Sequence, residues 1–509
     1  MTEINYNTDR YDKRDLSHLE DNLGDVLFYE KSIRRVGNCW YFMIKKGIDK
    51  YLIIAADINS EEPKEFEGKK ININSSSILK CELTSKNANA LRSVFDYTNP
   101  VLIGKINSFG FGDRLGNAGP AHLRSVRDTG YKPVLAQQSI RELNRTNRTA
   151  REVMNAASWA VFQEGHKDGF GADADHLKTT DDIDRMVKAG FTMFTIDPGD
   201  YVVNEVKTMN LEKLKKRFLY LPWTQLKCDP IGLLKRYSGK KIVLNNDTNL
   251  NPDDYQVLQG MVKYGRVILH TKMMADYLEY RYPNHPAELE LSVDETDSPT
   301  TPFEHFLIVS ELNRLGVELV SLAPRFCGDF EKGIDFKGDL DQFRSEYKQH
   351  LAIAERFGGY KLSIHSGSDK FSVYEVIGSI NSGAVHVKTA GTSYLEALRT
   401  IAEAEPALFR EILAFSVNRF NEDKKTYHIS ANPDRISSLY KLKDRQLREL
   451  MDDNDARQVL HVAYGSVLSA NLPEAATFKE RLMKSLEEHE DLYEKNLSAH
   501  FNRHFEPFN

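Results

Sequence analysis

The chain has 509 residues, 28% of them charged and 41% hydrophobic, with a formal net charge of −6: a globular composition too long for one compact core. The acidic balance and the lack of a Lys/Arg block exclude nucleic acid or an anionic membrane as the main partner, leaving room only for a local basic pocket. The N-terminal MTEINYNTDRYDKRDLSHLED lacks the basic head and apolar segment of a signal peptide, and Cys39, Cys81, Cys228 and Cys327 form no CxxC pair, so a cytoplasmic protein with reduced thiols is expected.

Residues 24 to about 98 contain short strand candidates (CWYFMIKK, KYLIIAAD, KININ, ILKCEL) without regular helices between them, which predicts a small β-rich N-terminal domain over 1–98. From Val101 the rhythm changes to strand, loop and helix, repeated, the pattern of a parallel α/β architecture. Strands are predicted at 101–107, 133–139, 170–175, 191–197, 289–295, 317–323, 360–366 and 384–389. Helix signals separate them: Thr301 and Glu304 form a capping box with Pro302 at the first helical position, and Gly316 or Gly358-Gly359 ends a helix just before the next strand. Eight such strands close a (β/α)8 TIM-like barrel, expected over 99–430, with a long insertion at 201–288 after strand 4 and a C-terminal helical extension at 431–509 packed on the barrel. A doubly wound open sheet is the rival, but no Gly-rich dinucleotide fingerprint follows the first strand, and no nicotinamide is expected.

In a barrel the chemistry sits at the C-terminal strand ends, and strand alternation selects the inward side chains. In KLSIH, Leu362 and Ile364 face the helices and His365 reaches the mouth. The same parity turns His386 and Lys388, Thr195 and Asp197, Arg325, Gln137 and Ser139, and Asp173 and Asp175 inward, with Gln138 beside them as a further candidate substrate contact. In LELSVDET parity favours Asp294, but Glu295 ends the strand, where the turn can re-aim it. Polar side chains are costly inside an apolar barrel unless they converge on a metal, a substrate or each other. Glu295, His365 and His386 form a candidate nitrogen and oxygen ligand set for zinc, manganese or iron, although no short His-x-x-x-His spacing supports it directly. The glycine-rich stretch SFGFGDRLGNAGPAHLRSV carries Asp113 and Arg114 in the first strand's loop, where Arg114 can clamp a carboxylate if it is not simply solvated. Lys178 is a candidate proton carrier or anion contact, whereas His270 falls on a helical period and reads as structural. His428 and His461 lie after the barrel, in a segment able to cap its mouth.

The runs GFGDRLGNAGPAHL, GFGADADHLKT, FTIDPGDYV, SLAPRFCGDFEKGIDF, KLSIHSGSDKFSVY, HVKTAGTSYLEALR and RQVLHVAYGSVL together resemble the bacterial tagaturonate epimerase family. The resemblance implies a metal-dependent barrel enzyme that interconverts D-tagaturonate and D-fructuronate, small ketouronates. Inversion at C4 suggests retro-aldol cleavage and recombination, with Asp175, Lys178 and Asp197 as proton-transfer candidates and Arg114 or Arg325 as the carboxylate's partner. A metal-dependent ketose isomerase or 3-epimerase, and a non-catalytic sugar-acid-binding protein, are the alternatives. The sequence is silent on oligomeric state.

Overall fold

The structure is a computed structural model and describes residues 23–57, 63–73, 76–246, 248–436, 441–471 and 476–508. Antiparallel strands at Cys39–Lys46, Asp49–Asp57 and Ser76–Glu82 form the centre of an N-terminal sheet, extended by Lys69–Ile73 at one edge and Leu27–Phe28 and Arg34–Val36 at the other. Alternation loads both faces of this sheet with apolar side chains. Tyr41, Met43, Leu52 and Ile54 pack with Leu91 and Phe95 and with Trp159 and Phe162 of the barrel's helix Ala150–Glu164. Phe42, Ile44, Ile53 and Ile78 cluster with Leu23 and Ile33.

Eight parallel strands close the barrel: Ser108–Phe111, Lys132–Ser139, Gly171–Leu177, Met193–Ile196, Glu288–Val293, Ser321–Pro324, Lys361–Ile364 and Val385–Thr389. The first strand therefore starts seven residues later than the sequence pattern indicates. The apolar run at 101–107 instead crosses the N-terminal end of the barrel as coil, where Val101 N–H donates to Phe170 O (2.8 Å) and Gly104 N–H to Glu288 Oε2 (2.8 Å). Its hydrophobicity misleads because Val101, Leu102 and Ile106 are all exposed. The seven other predicted strands overlap observed ones.

Between the fourth and fifth strands lie the helices Leu211–Leu219 and Pro230–Tyr237, a short pair of strands at Ile242–Val243 and Asn249–Leu250, and the helix Asp254–Arg281. Asp253 and Gln256 form a capping box at the start of this 28-residue helix, which lies against the barrel helix Pro302–Arg314. After the eighth strand come Thr392–Ala404, Pro406–Asp423, Asn454–Val462, Tyr464–Leu468, Phe478–Glu488 and Glu490–Phe505. The last of these runs along the outside of the first strand: Phe111 meets Phe501 at 5.1 Å between ring centroids, and Phe109 meets Phe505 at 4.7 Å. The apolar core thus lies between strands and helices, and among the described residues no helix is long and apolar enough to cross a membrane.

Candidate active site at the barrel mouth

The barrel interior is polar from floor to mouth. Lys361 and Glu288 stand near the floor, and Ser363, His386 and Ser108 share the level above in the strand register. Lys388 lies two residues, about 6.6 Å, further along its strand toward the mouth. Its ammonium meets three carboxylates, Asp173 (2.5 Å), Glu290 (2.8 Å) and Asp175 (2.9 Å), and donates to Thr195 Oγ1 at 2.6 Å. Burial alone would favour the neutral amine, but the three acids hold the Lys388 ammonium charged, far above the usual lysine range. Burial and the neighbouring carboxylates in turn raise Asp173 to about 6 despite its contact with Lys388.

Above this network His365 bridges two acids, with Nε2 2.7 Å from Glu290 Oε1 and Nδ1 3.2 Å from Asp294 Oδ1. His176 stands edge-on to it, with 5.1 Å between ring centroids, and its Nδ1 lies 3.4 Å from Asp197 Oδ2. One ligand atom each from His176, Asp294 and His365 falls within 4.8 Å of the others, a spacing and donor set suited to a divalent transition metal. Burial would lower the basicity of His176, but Asp175, Asp197 and Asp294 raise its pKa to about 10, so the acids are already arranged around a positive charge at this point.

His176 reaches the mouth through a break in strand alternation. Phe194 pairs with Ala174 and Ile196 with Leu177, so Asp175 and His176 together stand opposite Thr195 alone, and His176 adopts the left-handed conformation at φ 52°. This β-bulge turns two successive side chains toward the mouth. Asp294 takes the position parity favours, helped by a hydrogen bond from Ser292 Oγ. Glu295, expected as a ligand, instead sits at the rim, 47% exposed and 3.6 Å from Arg141. His386, the other expected ligand, lies one layer below the trio with Nδ1 against Ser108 Oγ (2.9 Å), and burial keeps it neutral.

A cleft of about 600 Å³ opens over the trio, walled by Arg141, Asp294, Arg325, Lys332, His365 and Tyr427. A smaller recess of about 40 Å³ continues inward between Arg114, Gln137, Asp175, His176, Lys388 and His461. Ser139 lines the recess and also caps the helix Ile140–Thr146, while Gln137 Nε2 donates to Thr389 O with its carbonyl lying over Gly110, where a Cβ would come within 1.7 Å. Arg114 is held by Glu142 (3.0 Å) and lies over the Tyr464 ring at 3.6 Å, leaving Nη1 without a hydrogen-bond partner. Asp113 accepts from the N–H groups of Leu115, Gly116 and Ala118 and so shapes the loop that carries Arg114. Gln138 is buried but does not line cleft or recess, and Lys178 pairs with Asp200 at 3.0 Å, also outside both. His428 lines the cleft from an exposed position and His461 the recess from a buried one, while His270 stacks on Tyr201 at 4.3 Å.

A second gathering of ligand atoms, Asp369, His500 and His504, is internally satisfied. His504 accepts from Asp369 N–H at Nε2 (3.1 Å) and donates from Nδ1 to His500 O (3.1 Å), while Asp369 also pairs with Arg457 (2.7 Å) and His500. This group fastens the last helix to the loop after the seventh strand.

A sequence model of tagaturonate epimerase matches residues 29–508. The chain is 44% identical over 478 residues to the tagaturonate/fructuronate epimerase of Thermotoga maritima, covering 94% of this chain and 95% of that one. It also superposes on the fructuronate-tagaturonate epimerase of Cohnella laeviribosi. The glycerol-bound crystal form gives a TM-score of 0.89 at 36% identity, covering 98% of this chain and 99% of the other. The native form gives the same score and identity over 97% and 98%.

Proposed function

The chain belongs to the tagaturonate epimerase family, and on that footing we propose that it interconverts D-tagaturonate and D-fructuronate by inverting C4 at the barrel mouth. The observation that carries this reading is the meeting of three residues able to hold a metal ion, an acid-fixed lysine and several cations around one cleft, in a chain similar throughout to epimerases of these sugar acids. His176, Asp294 and His365 would hold a divalent ion, which supplies a Lewis acid for the ketose oxygens.

C4 is β to the C2 ketone, so its hydrogen is not acidified by that carbonyl and simple enolisation cannot invert it. Cleavage of C3–C4 does: the C4 hydroxyl loses its proton, its oxygen becomes an aldehyde, and the C3–C4 electron pair passes into an enediolate on the other fragment. Rotation of the aldehyde and re-formation of the bond invert C4. Asp175, in contact with Lys388 and lining the recess, would take and return the hydroxyl proton. The Lys388 ammonium, itself fixed by three carboxylates, would orient Asp175 and keep it ionised, ready to accept that proton. Asp197, held by Gly199 N–H (2.9 Å), keeps His176 oriented. Arg114, Arg141, Arg325 and Lys332 line the walls and would offer the C6 carboxylate its cations.

Incubation of the pure protein with D-tagaturonate, followed by NMR, tests the reading. D-Fructuronate is the expected product, chelation should abolish its formation, and zinc, manganese or iron should restore it. Full turnover in rigorously metal-free protein would remove the metal from the mechanism. In deuterated water the product should carry no deuterium at C4, and deuterium there would replace cleavage by direct proton abstraction. A product altered at C3 would identify a 3-epimerase, and binding without turnover a sugar-acid-binding protein.

A further inference from the structure

His461 is 1% exposed, and neither ring nitrogen has a hydrogen-bond partner. Buried imidazoles normally use both nitrogens, and leaving them unpaired costs stability. The backbone makes room for this ring: a Cβ on Gly391 would stand 2.0 Å from its Cε1. The ring lines the recess that also holds Lys388, Asp175 and His365, and it arrives there on the helix Asn454–Val462, far from the barrel strands in sequence. Arg114, whose Nη1 is likewise unpartnered, lines the same recess. Burial, reinforced by the charges of Arg114 and Lys332, keeps His461 neutral, with one N–H to donate. An imidazole and a guanidinium on the wall of one small recess, each with a nitrogen that lacks a hydrogen-bond partner, make a donor pair for a carboxylate.

We propose that His461 is a substrate-binding residue that donates its ring N–H to the carboxylate of the sugar acid, beside Arg114. The inference rests on the reading of the protein as a ketouronate epimerase, and it makes the C-terminal helices part of the active site. It has a consequence that a merely structural histidine would not produce. Replacing His461 by Leu removes two unpaired buried polar atoms, so the ligand-free protein should become more stable while it loses its grip on the sugar acid.

The test compares wild type, His461→Leu and His461→Gln by melting temperature, by calorimetric titration with D-glucuronate as a probe, and by KM and kcat on D-tagaturonate. His461→Leu should melt at or above the wild-type temperature, bind D-glucuronate at least about tenfold more weakly, and show its loss mainly in KM. His461→Gln, which keeps an N–H donor, should recover part of the affinity. The uncharged D-tagatose should bind both variants as it binds wild type. A lower melting temperature with undiminished D-glucuronate affinity would overturn the proposal, as would an equal loss for D-tagatose. If wild type epimerises D-tagaturonate and His461→Leu binds normally, this inference fails while the proposed reaction stands. If wild type does not turn over and His461→Leu still loses D-glucuronate, the reverse holds.

Discussion

At His176 one extra residue in a strand decides which side chains meet at the barrel mouth. Alternation along GADADHL assigns Asp173 and Asp175 to the interior and His176 to the helix side, and only the bulge against Thr195 turns His176 inward. Alternation is a property of regular pairing, so no reading of the sequence by parity reaches this residue; the signal available was a histidine directly after two inward-facing acids. The pair Asp294 and Glu295 shows the opposite failure: parity selects Asp294, and the supposition that a turn re-aims Glu295 leads away from the geometry. The two residues make a direct test. Asp294→Ala should lower bound metal and cut turnover by more than about 100-fold, whereas Glu295→Ala should leave the metal content of the purified protein, measured by elemental analysis, unchanged. Equal metal loss in both variants would move the ligand set back to the rim.

The elements show where hydrophobic pattern suffices and where it misleads. Long periodic units such as Pro302–Arg314 carry their own boundaries in capping chemistry, and the structure has the Thr301/Glu304 box and Pro302 as the sequence reads. Val101–Asn107 has a strand's apolar content but pairs with no strand: it makes only isolated bonds such as Val101 N–H to Phe170 O, and barrel pairing begins at Ser108. Which helix covers the first strand was not legible, since its cover comes from the far end of the chain. That contact predicts a stability effect without a catalytic one. Phe501→Ala should cost about 3–5 kcal/mol in denaturant unfolding, as large aromatic truncations in cores do, and leave kcat of the folded fraction near wild type. A loss below about 1 kcal/mol would mean that the last helix is a loosely held appendage.

On the scale of the whole molecule, the barrel turns the usual arrangement of polar and apolar groups inside out: charges fill its interior, and the stabilising apolar surface lies between strands and helices. Buried neutral histidines are part of that arrangement. Burial lowers His122 and His350 to about 4 and His504 to about 3, and places His305, His386 and His461 well below their ordinary value. In the unfolded chain each takes a proton near pH 6.5, so from there down to about pH 4 the unfolded state binds more protons and stability falls as pH falls. The melting temperature of the metal-free protein should therefore drop below about pH 6.5, the six histidines outweighing the single opposing proton that Asp173 takes up in the native state near pH 6, and a flat profile down to pH 4.5 would contradict this. The aromatic clasp between the first strand and the last helix also sets a timetable. Phe109 and Phe501 are roughly 390 residues apart, and at about 5–20 residues per second the ribosome takes on the order of 20–80 s to make the second after the first. Until then the outer face of the first strand lacks part of its aromatic cover, so the pace of synthesis, and not only the finished packing, bears on how this chain avoids aggregation.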